Sequence, residues 1–151
     1  MTELEQRAAV ISEAETWLGT PFHFSACVKG VGVACGPFLI ACYAPYSKDS
    51  GRPLPNPPPF PKDWHCHTKE ERFRAVVEAF CAEVDTPQPG DVALFRLGAP
   101  TRPFSHGALV IEWPNHLIHS MWRSGVERTT AYQLPLRPEL AKFFSPWAFN
   151  P

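Results

Sequence analysis

The chain has 151 residues, of which 44% are hydrophobic and 19% are charged, and its net charge is −1. This composition is typical of a single globular domain, which we predict to cover residues 1–151. The balanced charge argues against a nucleic-acid partner, and no apolar run approaches the roughly 20 residues that a membrane-spanning helix needs, so we expect no membrane insertion.

The first predicted element is a helix that begins near the N-terminus. Thr2 and Glu5 have the spacing of a capping box, and Gly19 and Pro21 mark the end of the helix. The apolar residues that follow helical spacing are Leu4, Ala8, Ile11, Ala14 and Leu18. The acidic start lacks the basic and apolar regions of a signal peptide, so we expect synthesis in the cytoplasm, where the five cysteines would be free thiols.

A second helix is predicted within the segment GVGVACGPFLIACY, residues 30–43. Proline is tolerated in the first turn of a helix, so Pro37 places the helix start at about Cys35. The helix should run to Tyr43 and end before Pro45. Its residues are apolar on most sides, which predicts that it is buried.

A proline-rich segment and a third helix come next. Residues 49–63 carry six prolines between positions 53 and 61, which predicts an extended loop within the domain. Thr68 and Glu71 repeat the capping-box spacing. The apolar face of the helix that they would start is Phe73, Val76, Val77, Phe80 and Val84.

After residue 85 the sequence becomes rich in strand-forming residues. The segments DVALFR, HGALVIEW, HLIHSM and GVERTT are short and are separated by turn residues. Helices followed by an antiparallel sheet indicate an α+β fold, with the N-terminal helices packed on the C-terminal sheet.

Cys35 is the candidate nucleophile. A helix N-terminus stabilises a thiolate and lowers the pKa of a cysteine, and the backbone N–H groups of the first turn can hold an oxyanion. The competing interpretation is that Cys35 only fills space, because free cysteine is among the most buried residue types. Cys42, further along the same helix, is predicted to be a core residue.

His106 is the candidate base, because it stands at the start of a predicted strand. If Pro114 and Asn115 form a two-residue turn, Trp113 pairs with His116, and His119 then shares a face of the hairpin with His106 whereas His116 does not. His119 would lie a few residues along from His106, so twist or a bulge must bring the two rings together. We therefore predict that His119 orients His106.

The segment WHCHTK, residues 64–69, carries three soft metal ligands next to one another. Adjacent residues do not easily close a tetrahedral metal site, and the chain has no second cluster of suitable spacing. We predict a loop that precedes a helix, with no metal and no cofactor.

Taken together and in order, these motifs resemble the NlpC/P60 cysteine peptidases, a papain-like group. The matching segments are WLGTPFHF, GVACGPFLI, GDVALFR, FSHGALVI, HLIHSM and GV, and they span residues from about 8 to 147. The segment FPKDWHCHTKEER is similar to the branch of that family associated with the tails of phages and gene-transfer agents. The resemblance implies a papain-like fold, with Cys35 as nucleophile, His106 as base and His119 as the orienting residue.

The resemblance further implies hydrolysis of peptidoglycan stem peptides in bacteria, typically after a γ-linked D-glutamyl residue, with phage-tail proteins as partners and a phage tail as the destination. The residues that we predict to contact the substrate are Phe22, His23, Phe24, Gly36, Trp64 and Ser105. Two positions depart from the family pattern: Ala34 replaces an acidic residue before the nucleophile, and Phe22 replaces a tyrosine. Two alternatives therefore stay open, a tail-assembly or binding component with weak or no activity, and a papain-like amidase or acyltransferase.

Overall fold

The computed structural model describes residues 1–151 as four α-helices and eight β-strands. In chain order the elements are α1 (Glu3–Thr16), β1 (Cys27–Val28), β2 (Gly32–Val33), α2 (Cys35–Cys42), α3 (Ala44–Ser50), α4 (Arg72–Glu78), β3 (Ala82–Val84), β4 (Val92–Phe95), β5 (His106–Glu112), β6 (His116–Met121), β7 (Gly125–Thr129) and β8 (Lys142–Ser145). The predicted α+β arrangement is confirmed. None of the helices is both long enough and apolar enough to cross a membrane.

Six strands form one antiparallel sheet in the order β3-β8-β4-β5-β6-β7. The last strand, β8, returns between β3 and β4, whereas β4 to β7 lie in chain order. Helices α1 and α2 contact β5, and α2 also contacts β6, so these helices cover the centre of one sheet face. Side chains alternate along each strand, and the opposite face carries a second, smaller apolar layer around Phe95, Leu117 and Leu136.

The start of α1 agrees with the sequence prediction, but its buried face does not. The Thr2 hydroxyl accepts a hydrogen bond from the Glu5 backbone N–H at 3.3 Å, and the Glu5 carboxylate accepts one from the Thr2 N–H at 2.7 Å. The predicted apolar face included Leu4, which is 78% exposed. Ala14 of that face is buried, and Ile11 and Leu18 pack against the core, but the helix also buries Arg7 and Val10, which lie outside the predicted face.

Arg7 explains why the buried face is rotated from the apolar one. Its guanidinium donates to the Asp91 carboxylate at 2.9 Å and to the Pro89 carbonyl at 2.8 Å, and it lies 4.0 Å from the centre of the Trp147 ring. Both Arg7 and Asp91 are buried. A hydrophobicity pattern cannot predict a buried ion pair, because the paired charges occupy positions that the pattern assigns to solvent.

Helix α4 begins later and ends earlier than its sequence pattern predicts. Thr68 accepts from the Glu70 N–H, and the helix begins at Arg72. The Glu71 carboxylate does not cap the helix but accepts from the Phe104 N–H at 2.9 Å and from Arg96 at 2.7 Å. Val84, predicted on the helix, lies in β3. Glu71 thus fixes the chain two residues before His106.

The proline-rich segment differs from the prediction at its start. Residues 44–50 form α3, which was not predicted, and residues 51–61 have no regular structure. Arg52 anchors this segment, because its guanidinium donates to the Phe80 carbonyl at 2.7 Å and to the Pro146 carbonyl at 3.1 Å. The segment therefore folds back onto the body of the protein.

Candidate active site

Cys35 is the first residue of α2, as predicted. The thiol donates to the Ser105 carbonyl, with the sulfur 3.9 Å from the oxygen. The backbone N–H groups of Cys35, Gly36 and Gly107 also act on the sulfur and favour its ionised form. The sulfur therefore lies against backbone groups of Ser105 and Gly107, the two residues that flank His106.

The resting thiol is harder to ionise than the sequence predicts. Burial raises the pKa of Cys35 to about 11, and the backbone N–H groups only partly offset this effect. The predicted lowering of this pKa is wrong, because the loss of solvation outweighs the helix N-terminus. At neutral pH Cys35 is a neutral thiol.

The two predicted histidines lie together across β5 and β6. His106 Nε2 is 2.9 Å from His119 Nδ1, and the two residues are 2% and 1% exposed. Burial, followed by the neighbouring His119, holds the pKa of His106 well below its usual value, and burial also lowers the pKa of His119. Both rings are therefore neutral near pH 7, which disfavours a resting thiolate–imidazolium pair.

The register of the hairpin differs from the predicted one by two residues. The turn has three residues, so Glu112 pairs with His116, and Leu109 pairs with Ile118 rather than with Ser120. A bulge between Val110 and Glu112 accompanies the change. A shift of two preserves which face each side chain occupies, so the shared face of His106 and His119 survives, and His119 moves toward His106.

Glu127 extends the histidine pair and was missed by the sequence analysis. It lies opposite His119 in the β6–β7 register, and its Oε1 atom is 3.0 Å from His119 Nε2. Its side chain is 38% exposed. The signal was present in the strand GVERT, whose alternation places Glu127 on one face, but it required the β6–β7 register.

His106 and His119 lie together in the structure. Cys35 makes no hydrogen bond to either imidazole ring. Alternation along β5 directs Gly107 toward Leu39 of α2 and His106 toward the other face, beside its strand partner Phe95. The Cys35 sulfur and the His106 imidazole thus lie on different sides of the start of β5.

Three exposed or half-buried aromatic rings form a cluster, which we call the aromatic cluster: Phe22, Phe24 and Trp122. The Phe22 and Phe24 ring centres are 4.8 Å apart, and Phe24 and Trp122 are 5.5 Å apart. The Lys62 ammonium lies 4.9 Å from the centre of Phe24 and 4.8 Å from that of Trp122. Lys62, at the end of the proline-rich segment, therefore contacts the aromatic cluster. Trp122 is a member of this cluster that the sequence analysis missed.

The remaining predicted substrate contacts have different surroundings. Trp64 is only 7% exposed and packs on Phe60, so most of its indole ring is removed from solvent. His23 is exposed, and its Nδ1 atom accepts from the Ser25 N–H. The Ser105 hydroxyl is buried without a hydrogen-bond partner.

The segment WHCHTK forms a short 3₁₀ helix, Trp64–Cys66, and the loop after it. His67 lies 2.7 Å from the Asp63 carboxylate, and an Arg102 nitrogen lies 3.3 Å from the Cys66 sulfur. No three His, Cys, Asp or Glu side chains in the chain converge as a metal-binding group.

Comparisons with known proteins show the fold. No family model matches the chain, and no curated protein is similar to it. An NlpC/P60 family protein from Bacillus cereus ATCC 10987 superposes with a TM-score of 0.61 at 18% identity, covering 91% of this chain and 39% of that one. For NlpC1 from Trichomonas vaginalis the TM-score is 0.63 at 12% identity, with 93% and 43% covered.

A third solved structure, described as similar to a lipoprotein of the NLP/P60 family, from Staphylococcus aureus subsp. aureus Mu50, gives a TM-score of 0.55 at 16% identity and covers 86% of this chain and 37% of that one. This chain thus spans about two fifths of the length of these proteins. At such identities the likeness concerns the fold. The chain has the α+β, papain-like fold of the NlpC/P60 proteins.

Proposed function

We propose that this chain is a thiol hydrolase that cleaves amide bonds in peptidoglycan stem peptides, typically after a γ-D-glutamyl residue. The observation that carries the proposal is the position of Cys35, at the start of α2 with its sulfur against the two residues that flank His106. The fold shared with NlpC/P60 proteins supports the substrate class.

The raised pKa of Cys35 requires a mechanism with general-base catalysis. His106 is neutral and takes the thiol proton as the sulfur attacks the amide carbonyl, so no resting ion pair is needed. The thiol and the imidazole must come within hydrogen-bond reach in the substrate complex, because catalytic hydrogen bonds often tighten only there.

The rest of the reaction uses groups that already surround the sulfur. The backbone N–H groups of Cys35 and Gly36 stabilise the tetrahedral oxyanion. Protonated His106 then donates its proton to the leaving amine, and the carbon–nitrogen bond breaks to leave a thioester on Cys35. Water, deprotonated by His106, hydrolyses the thioester and restores the thiol.

The direct test is amine release from purified stem peptides. The wild-type protein should release a free amine, and Cys35→Ala should release none. Cys66→Ala removes an exposed thiol elsewhere and should behave like the wild type. Equal release by wild type and Cys35→Ala would overturn the proposal. Consumption of the peptide through Cys35 without a net free amine would instead identify an acyltransferase.

A second candidate function is binding without catalysis, as a component of a phage tail. Three observations favour it: the thiol pKa of about 11, the absence of a thiol–imidazole hydrogen bond, and the apolar residues Ala34 and Phe22 where the family carries polar ones. Under this interpretation wild type and Cys35→Ala bind stem peptide with the same Kd in calorimetry, and neither releases amine. Amine release that depends on Cys35 contradicts it.

Association with a phage tail, after synthesis in the bacterial cytoplasm, is a further part of the proposal. It is supported by the likeness of FPKDWHCHTKEER to the tail-associated branch. Mass spectrometry of gradient-purified tails, from a strain that encodes the chain within a prophage, should detect it at a fixed ratio to the tail proteins. Its consistent absence from such tails would contradict this part alone.

A further inference from the structure

Three polar side chains from adjacent strands form one continuous hydrogen-bonded chain. His106 on β5 is linked to His119 on β6 at 2.9 Å, and His119 is linked to Glu127 on β7 at 3.0 Å. We infer that Glu127 is a positioning residue that sets the tautomers of both histidines and leaves Nδ1 of His106 free of a proton. Its meaning for catalysis rests on the proposed function, but the tautomers can be measured independently of it.

The assignment follows from the direction of the hydrogen bonds. An ionised carboxylate only accepts, so His119 must carry its proton on Nε2. A neutral imidazole has one proton, so His119 Nδ1 is an acceptor. The atom opposite it, His106 Nε2, must therefore donate, and Nδ1 of neutral His106 keeps its lone pair. The single carboxylate of Glu127 thus fixes the tautomers of both imidazole rings.

No other charged side chain competes with Glu127 for His119. The His119 edge opens into a cavity of about 430 Å³, lined also by Arg128 and by uncharged residues of β6, β7 and the segment after them. Arg128 is held elsewhere, by Glu15 at 2.9 Å and His116 at 2.8 Å. On the β5 side His119 is hydrogen-bonded to His106. Glu127 is therefore the single carboxylate that faces the pair.

Glu127 also stabilises the protonated form of the buried histidine pair. When His106 accepts a proton, the charge arises in a site where burial disfavours it. Hydrogen bonding and attraction to Glu127 partly offset the lowering of the His119 pKa by burial, so a positive charge is less costly on His119 than it would be without Glu127. Because Glu127 is partly exposed, the carboxylate keeps its own solvation while stabilising the rings.

The test uses the full chain labelled with ¹⁵N-histidine and long-range ¹H–¹⁵N spectra between pH 5 and 9. We expect both His106 and His119 to be protonated on Nε2 near pH 7.5. Glu127→Gln should move the titration of His119 to lower pH, because the amide can accept the hydrogen bond but lacks the charge, whereas Glu127→Asp should retain part of the effect. Glu112→Gln removes an exposed carboxylate from the same hairpin and should leave both titrations unchanged.

Two results would overturn the inference: His119 protonated on Nδ1 in the wild type, or identical His119 titrations in Glu127→Gln and wild type. Circular dichroism melts confirm that the variants compared are folded. If the chain hydrolyses stem peptides, Glu127→Gln should also lower kcat/KM by about 10- to 100-fold, less than the loss of a residue that contacts the base directly. If both histidines show the predicted tautomers but the protein hydrolyses no stem peptide, this inference holds and the proposed function is refuted.

Discussion

The two halves of the candidate site differ in how they are supported. The His106 ring is hydrogen-bonded to a polar side chain, His119, which is in turn hydrogen-bonded to Glu127. Around Cys35 the polar partners are backbone groups, and the N-cap residue before it, Ala34, makes no side-chain cap. The base is held in one orientation, whereas the nucleophile is positioned only by the start of its helix.

Under the proposed function, this difference indicates which half would limit the rate. A base with fixed tautomers is ready to accept a proton near neutral pH, but a thiol with a pKa of about 11 yields its proton only when the base reaches it. The rate should therefore depend more on the approach of Cys35 to His106 than on the basicity of His106.

The largest expected effect concerns the base itself. His106→Asn should lower amine release by at least about 10³-fold, equivalent to about 4 kcal/mol, because the neutral thiol then has no proton acceptor. His116→Asn, on the same hairpin but bonded to Arg128, is the matched control and should retain activity. Steady-state amine release measures both. Similar rates for the two variants would show that the histidine pair is not the base.

The next effect is on stability at acid pH. The folded-state pKa of His106 and that of His119 are both lowered, so below about pH 6.5 the unfolded chain binds more protons and folding is opposed. The free energy of unfolding should fall by about 1 to 3 kcal/mol between pH 7.5 and pH 5. Urea titrations at the two pH values measure it. His119→Asn should reduce this pH dependence, and an unchanged dependence would argue against neutral buried rings.

A smaller effect on the free energy of unfolding is expected at Ser105, next to Cys35. The Ser105 hydroxyl is buried without a partner, so Ser105→Ala should raise the free energy of unfolding by about 1 kcal/mol. Ser120→Ala is a control of opposite sign, because its hydroxyl donates to the Val33 carbonyl at 2.7 Å and its loss should destabilise by about 1 kcal/mol. Urea unfolding compares the two. Destabilisation by Ser105→Ala would show that its hydroxyl has a partner in solution.

The smallest effect is expected from adding a hydroxyl group at Phe22. Phe22→Tyr adds the hydroxyl that the family pattern carries and should raise kcat/KM by about 3-fold, the order of one weak hydrogen bond. Phe149→Tyr, at a half-buried ring that lies 4.4 Å from the Arg52 guanidinium and outside the candidate site, is the control and should change nothing. A decrease for Phe22→Tyr would indicate that the Phe22 ring packs on an apolar part of the substrate.

Local patterns predicted the elements that local energetics determine. The capping box of α1, the start of α2 at Cys35 and the four strands from DVALFR to GVERTT all follow from short-range spacing, and each was correct. The shared face of His106 and His119 also followed, because strand alternation has a period of two and the register error was itself two.

The remaining features depend on tertiary contacts. The bulge in β5, the link from His119 to Glu127, and the burial of Trp64 arise where distant segments meet. The prediction of the Cys35 pKa failed for the same reason. The position of Cys35 at a helix start can be predicted from the sequence, whereas its burial cannot. Arg7 and Glu71 show the same limit. Arg7 is not part of the predicted apolar face and Glu71 has the spacing of a helix cap, yet each bonds a distant segment.

The bulge in β5 also constrains how this hairpin can be transplanted or trimmed. Side chains on either side of a bulge keep their faces only if the turn length compensates for the extra residue. Deleting one residue from the Trp113–Asn115 turn would therefore turn one imidazole out of the pair while leaving both histidines in the chain. Anyone grafting the two rings onto another scaffold has to move the irregular strand and its turn with them as one piece.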